Sequence, residues 1–323
     1  MRVSRVLLGL VSLLPLAAVA VDDEVKAWFE RAARAAEERN YEVVMVFERD
    51  ERLQTLHVVH GYDAGQVRER IESLDGRPRE VVRLDGRITC NVGGGVHVLV
   101  GRGHQRQGMH VALGADPDAL SAWYAFALGS EDRVAGRSCR KLRIEPRDDY
   151  RYGYRLCLDA ESALPLRSEV VDRSGHVLER MIVTRLELYS EPLPSERFAA
   201  RWSREHPSQG DGAGVADAAA DTSEVTWRIA RLPPGYEVVE RGRYPVAGGH
   251  VAVHHIVVSD GLAAVSVFVR PQIEGLFQGL KYAGAMHVLG LSRPPDHITV
   301  MGEVPPVVVR MIGESLQRVE GDD

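Results

Sequence analysis

Four sets of residues have side chains that could do chemistry, and their spacing decides how each is interpreted. Cysteines could form a disulfide, histidines could bind a metal, a glycine run could hold a phosphate, and a Ser-Asp pair could supply a nucleophile. These sets are Cys90, Cys139 and Cys157; His57 and His60 with His250, His254 and His255; residues 93–95; and Ser259-Asp260. A metal or catalytic site requires that several members converge at ligand or hydrogen-bonding distance.

The histidine spacing argues against a metal site. His57 and His60 are three residues apart in a strand-like run, so they point to opposite faces of the strand. His250 and His254 would share a strand face, and with His255 they are the best metal candidates. No carboxylate or fourth ligand lies at a suitable spacing. The sequence therefore predicts no metal site.

The glycine run and the Ser-Asp pair both indicate turns. A phosphate loop leads into a helix N-terminus, whereas residues 93–95 lead into a strand-like run. Ser259-Asp260 lacks the Gly-x-Ser-x-Gly setting that exposes a nucleophile. No set of catalytic residues and no cofactor motif emerges, so the sequence favours a binding protein over an enzyme.

The cysteines allow one disulfide. Cys139 and Cys157 lie on the two arms of a predicted hairpin that turns near Asp148 and Asp149. A two-residue turn there would place the two sulfurs on opposite faces, whereas a bulge or an odd-length turn would bring them together. We hypothesise a Cys139–Cys157 disulfide that leaves Cys90 as a free thiol.

The start of the chain has the pattern of an export signal. Arg2 and Arg5 precede an apolar run, and Ala18-Val19-Ala20 offers the small-x-small pattern of a cleavage site. We predict a signal peptide over residues 1–20 and a periplasmic location. Its removal changes the net charge from −6 to −8, which argues against nucleic acid as a partner.

The remaining pattern predicts two domains, over residues 21–202 and 223–323. Residues 203–222 are rich in Gly, Ala, Asp and Ser and predict a flexible linker. Apolar positions three and four apart predict a helix over residues 22–39. Further helices are predicted from Pro117, over 272–281 and over 306–318, among successive strands with short turns that indicate antiparallel sheets.

The helix that begins at Pro117 is the most informative of these elements. Asp116 would cap it, and it would extend to about Gly129. It would carry the apolar side chains Leu120, Trp123, Tyr124 and Phe126. These side chains could fill an ordinary core, or the helix could cover a half-open sheet whose inner face accepts acyl chains. We take these four residues as candidates for a lipid groove.

Several segments resemble the RseB/MucB family of periplasmic regulators of the envelope-stress sigma factor. They occur in the family's order across nearly the whole chain after residue 20. The segments are Arg77-Pro78-Arg79-Glu80-Val81-Val82; Arg151-Tyr152-Gly153-Tyr154; residues 158–167; residues 171–179; Leu232-Pro233-Pro234-Gly235-Tyr236; Ser259-Asp260-Gly261-Leu262; residues 265–269; and residues 298–306.

The resemblance implies an α+β fold and a regulatory role. The larger domain would be an antiparallel half-barrel like those of the lipoprotein carriers LolA and LolB, with covering helices, and the second a smaller C-terminal α+β domain. The partner would be the periplasmic domain of an RseA/MucA-like anti-sigma factor, shielded from regulated proteolysis. Lipid or lipopolysaccharide would release it.

Two other functions remain open from the residues alone. A periplasmic lipid or lipoprotein carrier would use the same half-barrel but would have less need of a second domain. An enzyme that acts on envelope glycans would need two carboxylates facing one cleft, which a single sequence does not reveal. The sequence also leaves open whether the chain forms a homo-oligomer.

Overall fold

The structure of the protein is a computed structural model. It describes residues 21–84, 87–92, 96–100, 113–199, 227–245 and 252–319. The predicted signal peptide and linker, the glycine run 93–95, His250 and the side chain of Cys90 lie outside that description. No helix in the described ranges is long and apolar enough to cross a membrane.

Helix α1 (Asp23–Glu38) opens the larger domain within the predicted range. The carboxylate of Asp22 accepts a hydrogen bond of 2.9 Å from the backbone N–H of Glu24, which satisfies one free donor of the first turn. Its buried positions recur every three or four residues: Val25, Phe29, Ala32 and Ala35. This stripe packs on the larger sheet, because burial of an amphipathic face supplies most of a helix's stability.

The larger domain is built on one antiparallel sheet of eleven strands. Consecutive strands pair, except that β1 joins β11 and so links the first six strands to the last five. The strands are β1 (Asn40–Arg49), β2 (Arg52–Asp63), β3 (Gln66–Ser73), β4 (Arg79–Leu84), β5 (Arg87–Val92), β6 (Val96–Val100), β7 (Tyr124–Val134), β8 (Arg137–Pro146), β9 (Gly153–Asp159), β10 (Pro165–Val171) and β11 (Val177–Tyr189). Tyr41, Val43 and Met45 alternate along β1 and pack with Ala35 of α1.

The helix that begins at Pro117 is much shorter than predicted. Helix α2 (Pro117–Leu120) has the expected Asp116 cap, whose carboxylate accepts a hydrogen bond from the backbone N–H of Asp118. The chain then enters β7 at Tyr124, so the predicted extension to Gly129 is wrong. Pairing with β8 and the high strand propensity of the aromatic residues outweigh the helical spacing.

The β8–β9 hairpin brings the two cysteines together. Its register pairs Cys139 with Asp159 and Lys141 with Cys157, so both sulfurs point to the same face. The structure joins them by a disulfide with Cα atoms 5.4 Å apart. The two-residue turn that would have separated the sulfurs is not formed, because residues 147–152 connect the strands.

Within its described residues, the smaller domain contains a six-stranded antiparallel sheet and one helix. The sheet has the order β13-β14-β15-β18-β17-β16, and a separate two-stranded sheet pairs β12 with β19. The elements are β12 (Trp227–Ile229), β13 (Glu237–Pro245), β14 (Ala252–Ser259), β15 (Ala264–Pro271), β16 (Gly279–Ala283), β17 (Met286–Arg293), β18 (Asp296–Glu303), α3 (Pro306–Ser315) and β19 (Leu316–Arg318). Helix α3 packs on the sheet through its buried face.

The helix predicted over residues 272–281 is wrong. That segment contains no helix and ends in β16. Gly275 and Gly279 adopt left-handed backbone conformations, with φ values of 80° and 92°, which interrupt a right-handed helix. The prediction of an α+β fold, with a large antiparallel half-barrel and a smaller C-terminal domain, is confirmed.

Candidate functional site at the domain junction

The two domains meet through a shared apolar core. Phe29, Leu120 and Tyr124 of the larger domain lie in one buried cluster with Leu262 and Ala285 of the smaller domain. The approach is close at Gly261, where an added Cβ would lie 3.1 Å from Leu120 Cδ2. Because these side chains exclude water, polar groups placed beside them interact strongly and need partners.

Arg151 is the central polar residue of this junction. It is fully buried, and its Nε donates to Asp260 Oδ2 at 2.8 Å. One terminal nitrogen donates to Asp148, and the other donates to the carbonyl of Pro234 at 2.6 Å. The guanidinium also lies over the rings of three aromatic residues: Trp123, Tyr124 and Tyr236. One side chain thus binds two segments of the smaller domain.

Gly235 has no room for a side chain at this contact. Its φ of 76° favours glycine. An added Cβ would lie 2.3 Å from Trp123 and 2.7 Å from an Arg151 nitrogen. The Leu232-to-Tyr236 segment therefore supplies both a backbone acceptor and the close approach that lets Arg151 reach it.

Asp260 uses both carboxylate oxygens. Oδ1 accepts hydrogen bonds from the backbone N–H groups of Leu262 and Ala263. Oδ2 accepts one from Arg151 Nε and another, of 2.7 Å, from the Tyr124 hydroxyl. Burial, followed by the charge of Asp260, raises the pKa of Tyr124 and that of Tyr236 well above the ordinary value, so both hydroxyls remain donors. Ser259-Asp260 does form a turn, and Asp260 also binds the two domains together.

A second polar contact lies at the other side of the junction. Glu179 is almost fully buried. It accepts a hydrogen bond of 2.8 Å from Arg49 Nε and another of 2.9 Å from the backbone N–H of Ala285. Arg49 also lies 3.8 Å from Glu303 of the smaller domain. Burial and then the charge of Glu179 raise the pKa of Glu303 to about 7, against the opposing charge of Arg49.

An acidic cleft of about 760 Å³ opens between these contacts. Its described lining holds six carboxylates and three guanidiniums, one of which is the buried Arg151, with Tyr282 and Pro305 from the smaller domain. Glu179 is among the lining residues, and its Oε2 is buried without a hydrogen-bond partner in the described part of the chain. A volume of this size and a surplus of negative charge suit a ligand that brings cationic or N–H donor groups.

The four lipid-groove candidates lie together, but not on one helix. Leu120 and Tyr124 are buried in the junction core, where Tyr124 binds Asp260. Trp123 and Phe126 are half-buried: Trp123 packs on Arg151, and Phe126 makes an edge contact with Phe29 at 5.6 Å. A second cavity, of about 380 Å³, lies between α1 and residues 113–117 beside Phe29. Its lining includes Lys26 and Arg34.

The described histidines form no metal cluster. Within the described ranges, no group of three or more His, Cys, Asp or Glu side chains could hold a metal ion. His255 stacks on Phe268 with ring centroids 4.4 Å apart, and its Nε2 lies 3.1 Å from the Ser266 hydroxyl. Its role in the structure is packing within the smaller domain.

Sequence reasoning did not predict that four polar residues would meet at the junction: Arg151, Glu179, Asp260 and Glu303. Arg151 and Asp260 are 109 positions apart, so no local periodicity connects them. The available signal was that both lie in segments that resemble one family. The fold and the junction define the class: a two-domain α+β protein with a cleft between its domains.

Comparison with known proteins identifies the family. The MucB/RseB N-terminal domain matches residues 24–202 and the MucB/RseB C-terminal domain matches residues 221–317. The sigma factor AlgU regulatory protein MucB of Pseudomonas aeruginosa is 34% identical over 315 residues, 94% of each chain. The sigma-E factor regulatory protein RseB of Escherichia coli K12 is 25% identical over 88% of this chain and 87% of its own. The chain belongs to the MucB/RseB family.

Solved structures agree with this relationship. The crystal structure of MucB in complex with MucA(peri) covers 92% of this chain and 100% of that chain, with a TM-score of 0.66 and 30% identity. The crystal structure of MucB covers 92% and 99%, with a TM-score of 0.67 and 29% identity.

Proposed function

We propose that this protein binds the periplasmic part of a MucA-like anti-sigma factor and so regulates an envelope-stress sigma factor. The observation that carries the proposal is the nearly full-length relationship to MucB, for which the solved structures include a complex with MucA(peri). Both domains are covered by the match, and the described residues of the junction and its cleft fall within the matched ranges.

The cleft at the junction is the proposed binding surface. A peptide seated there contacts both domains at once, and contacts to each domain add to its affinity. The surplus of carboxylates, among them the exposed Glu51, attracts lysine and arginine side chains. Binding in the cleft would shield the partner's segment from proteolysis, so the proposed role requires binding and no catalysis by this chain.

A direct test uses the chain from residue 21 and the periplasmic part of the MucA-like anti-sigma factor of the same organism. We expect calorimetry to show one-to-one binding that weakens as salt rises, because the cleft acts through charge. Glu51→Gln removes an exposed carboxylate of the cleft and should weaken binding severalfold. Glu145→Gln, an exposed carboxylate on β8, is the control. Absence of binding by the unmodified chain would refute the proposal.

The location is tested separately. The predicted signal peptide and the periplasmic partner both support a periplasmic protein. Fusion of residues 1–20 to alkaline phosphatase without its own signal should give an active enzyme, because the phosphatase needs an oxidising compartment for its disulfides. Inactive fusions would contradict export.

Lipid or lipopolysaccharide is the proposed releasing ligand, bound near α1. The cavity beside Phe29 combines apolar side chains with two cations, Lys26 and Arg34, and two carboxylates, Glu30 and Asp116. Its apolar part suits an acyl chain. Phe126→Asp should strongly reduce displacement of a fluorescent acyl probe by lipopolysaccharide. It should lower the melting temperature only slightly, since Phe126 is only half-buried. Equal losses would favour a purely structural role for this side chain.

A periplasmic lipid or lipoprotein carrier is the alternative function. A half-barrel with a covering helix suits it, but the polar junction with a second domain does not follow from it. A pull-down from membrane extracts discriminates between the two: a regulator retains the anti-sigma factor, whereas a carrier retains lipid or lipoprotein alone.

A further inference from the structure

Strand β16 forms one edge of the smaller domain's sheet. It pairs with β17 on one side, and within the described residues nothing pairs with its other side. Gly284-Ala285 is the two-residue turn that joins the two strands, with Ala283 opposite Met286. An open edge presents unpaired N–H and C=O groups, which can accept a further strand.

The register identifies which residues face outward. In a two-residue hairpin, the pair beside the turn exchanges both hydrogen bonds, and the hydrogen-bonded and non-hydrogen-bonded pairs then alternate. Ala283 and Lys281 therefore direct their N–H and C=O groups to β17. Leu280 and Tyr282 direct theirs to the open side. The Tyr282 side chain is 73% exposed, so the outer edge at this residue is accessible.

Two other described edge strands are protected against strand addition. Edge strand β13 has a bulge at residues 238–240 and carries several charged side chains, and edge strand β7 has a bulge at residues 128–131 and the charged run 131–133. Bulges and charges are the usual means of blocking an edge. Strand β16 pairs with β17 without a bulge and carries one charge, Lys281, whose Nζ lies over the Phe277 ring at 4.4 Å.

The open edge adjoins the acidic cleft. Tyr282 and Gly284 line it, and the backbone N–H of Gly284 donates to the Asp50 carboxylate of the larger domain at 3.1 Å. This bond fixes the end of β16 beside the carboxylates of the cleft. An extended peptide on β16 would therefore run alongside them, where its basic side chains would be favoured.

We propose that the outer edge of β16 binds an extended, basic segment of the anti-sigma factor by strand addition. The proposal rests on the proposed function and specifies the manner of binding. Leu280 and Tyr282 exchange backbone hydrogen bonds with the segment. Lysine or arginine side chains of the segment enter the cleft and meet its exposed carboxylates, among them Glu51.

Residue-resolved amide exchange on the unaltered chain is the first test, with the periplasmic part of the anti-sigma factor as probe. Binding should slow exchange of the outward Leu280 and Tyr282 amides at least tenfold. The inward amides of Lys281 and Ala283 are an internal control, because β17 already protects them. Binding that leaves the Leu280 and Tyr282 amides unprotected would overturn the strand-addition proposal while leaving the proposed function intact.

Proline substitution is the second test, since proline removes an outward N–H and blocks the edge. Tyr282→Pro should raise Kd for the probe at least tenfold, whereas Tyr282→Ala, which keeps the N–H, should change it less. Val239→Pro, an exposed position on the opposite edge of the same sheet, should leave Kd unchanged. Melting temperatures identify any variant that fails to fold.

Three outcomes separate the hypotheses. No binding by the unaltered chain refutes the proposed function itself. Binding that is insensitive to Tyr282→Pro refutes strand addition alone. A free protein that is dimeric, with Leu280 and Tyr282 amides already protected and with Tyr282→Pro producing monomers, assigns the edge to a second copy of this chain and overturns the proposal.

Discussion

Arg151 shows how a single buried charge can hold two domains in one arrangement. A guanidinium taken out of water requires partners for its donors, and Asp260, Asp148 and the Pro234 carbonyl supply them. Asp260 and Pro234 belong to the smaller domain, so separation of the domains would leave Arg151 without them. The contact thus stabilises one arrangement chiefly by making its loss unfavourable.

Removal of Arg151 should therefore destabilise the protein strongly. Arg151→Ala leaves Asp260 buried without its cationic partner, and we expect a loss of about 3–5 kcal/mol in the free energy of unfolding. In chemical denaturation of this variant, the two domains should also unfold in separate transitions. Arg143→Ala on β8, where the side chain is 53% exposed, should change stability by no more than about 0.5 kcal/mol. Similar effects from both variants would contradict the assigned role.

Glu303 should make the stability of the protein depend on pH. Its pKa rises from 4.5 to about 7 in the folded protein, chiefly through burial and then through the nearby Glu179. The folded state therefore binds this proton more tightly than the unfolded state. The contribution of Glu303 to stability is fully present below about pH 4.5 and is lost as the pH rises through about 7.

Glu303→Gln isolates this contribution, because glutamine stays neutral. The side chain is 29% exposed, so water screens it in part, and we expect the variant to be about 2 kcal/mol more stable than the unmodified chain at pH 8. The two should be equally stable near pH 4.5. Unfolding measured across this range tests the expectation, with Glu274→Gln on an exposed loop as control. A difference that does not change with pH would exclude the titration of Glu303.

At the scale of elements, local pattern predicted most strands and failed where partners outside the segment decide. Successive strands with short turns predicted antiparallel sheets, and both larger sheets are antiparallel, because short connections join neighbouring strands that run in opposite directions. The aromatic segment after Leu120 has helical spacing and forms a strand, since β8 offers it a partner. The disulfide depended on the length of the β8–β9 connection, and turn residues alone do not determine that length.

The β8–β9 disulfide should contribute substantially to the stability of the larger domain. Cys139 and Cys157 are both buried and lie 18 residues apart in sequence. Closing a loop of about this length restricts the unfolded chain and contributes about 3 kcal/mol. Reduction of the unmodified chain, or replacement of both cysteines by alanine, should lower the free energy of unfolding by about this amount.

Thiol counting in denaturant provides the check on this pairing. Without reductant, one thiol should react, and Cys90→Ser should remove it. Mass spectrometry after alkylation reads the count directly. Three reactive thiols in the unreduced protein would show that the bridge is not formed.

At the scale of the whole molecule, the sequence predicted two domains but not how they contact each other. The linker composition suggested independent motion, and residues 203–222 remain a prediction on that point. The described domains contact each other through the Arg151 and Glu179 groups and a shared core. Such contacts depend on residues more than 80 positions apart, such as Arg151 and Pro234, and no pattern within either domain encodes them.

This junction would provide a physical route from the proposed lipid ligand to the proposed partner. The cavity beside Phe29 and the Arg151 contacts share the apolar cluster that contains Leu120 and Tyr124. A lipid that moves these side chains would disturb the bonds of Asp260 and hence the domain arrangement that shapes the cleft. For release, the lipid must bind more tightly to the partner-free arrangement than to the partner-bound one.

That mechanism makes a reciprocal prediction for the proposed ligands. Lipopolysaccharide should weaken binding of the anti-sigma segment, and the segment should weaken binding of lipopolysaccharide by the same factor, because both describe one coupling free energy. A tenfold factor corresponds to about 1.4 kcal/mol. Calorimetric titrations in both orders measure it, and Arg151→Ala should reduce it, since the junction no longer transmits the change. If both ligands bind without affecting each other, the chain has two independent binding sites and does not act as a lipid sensor.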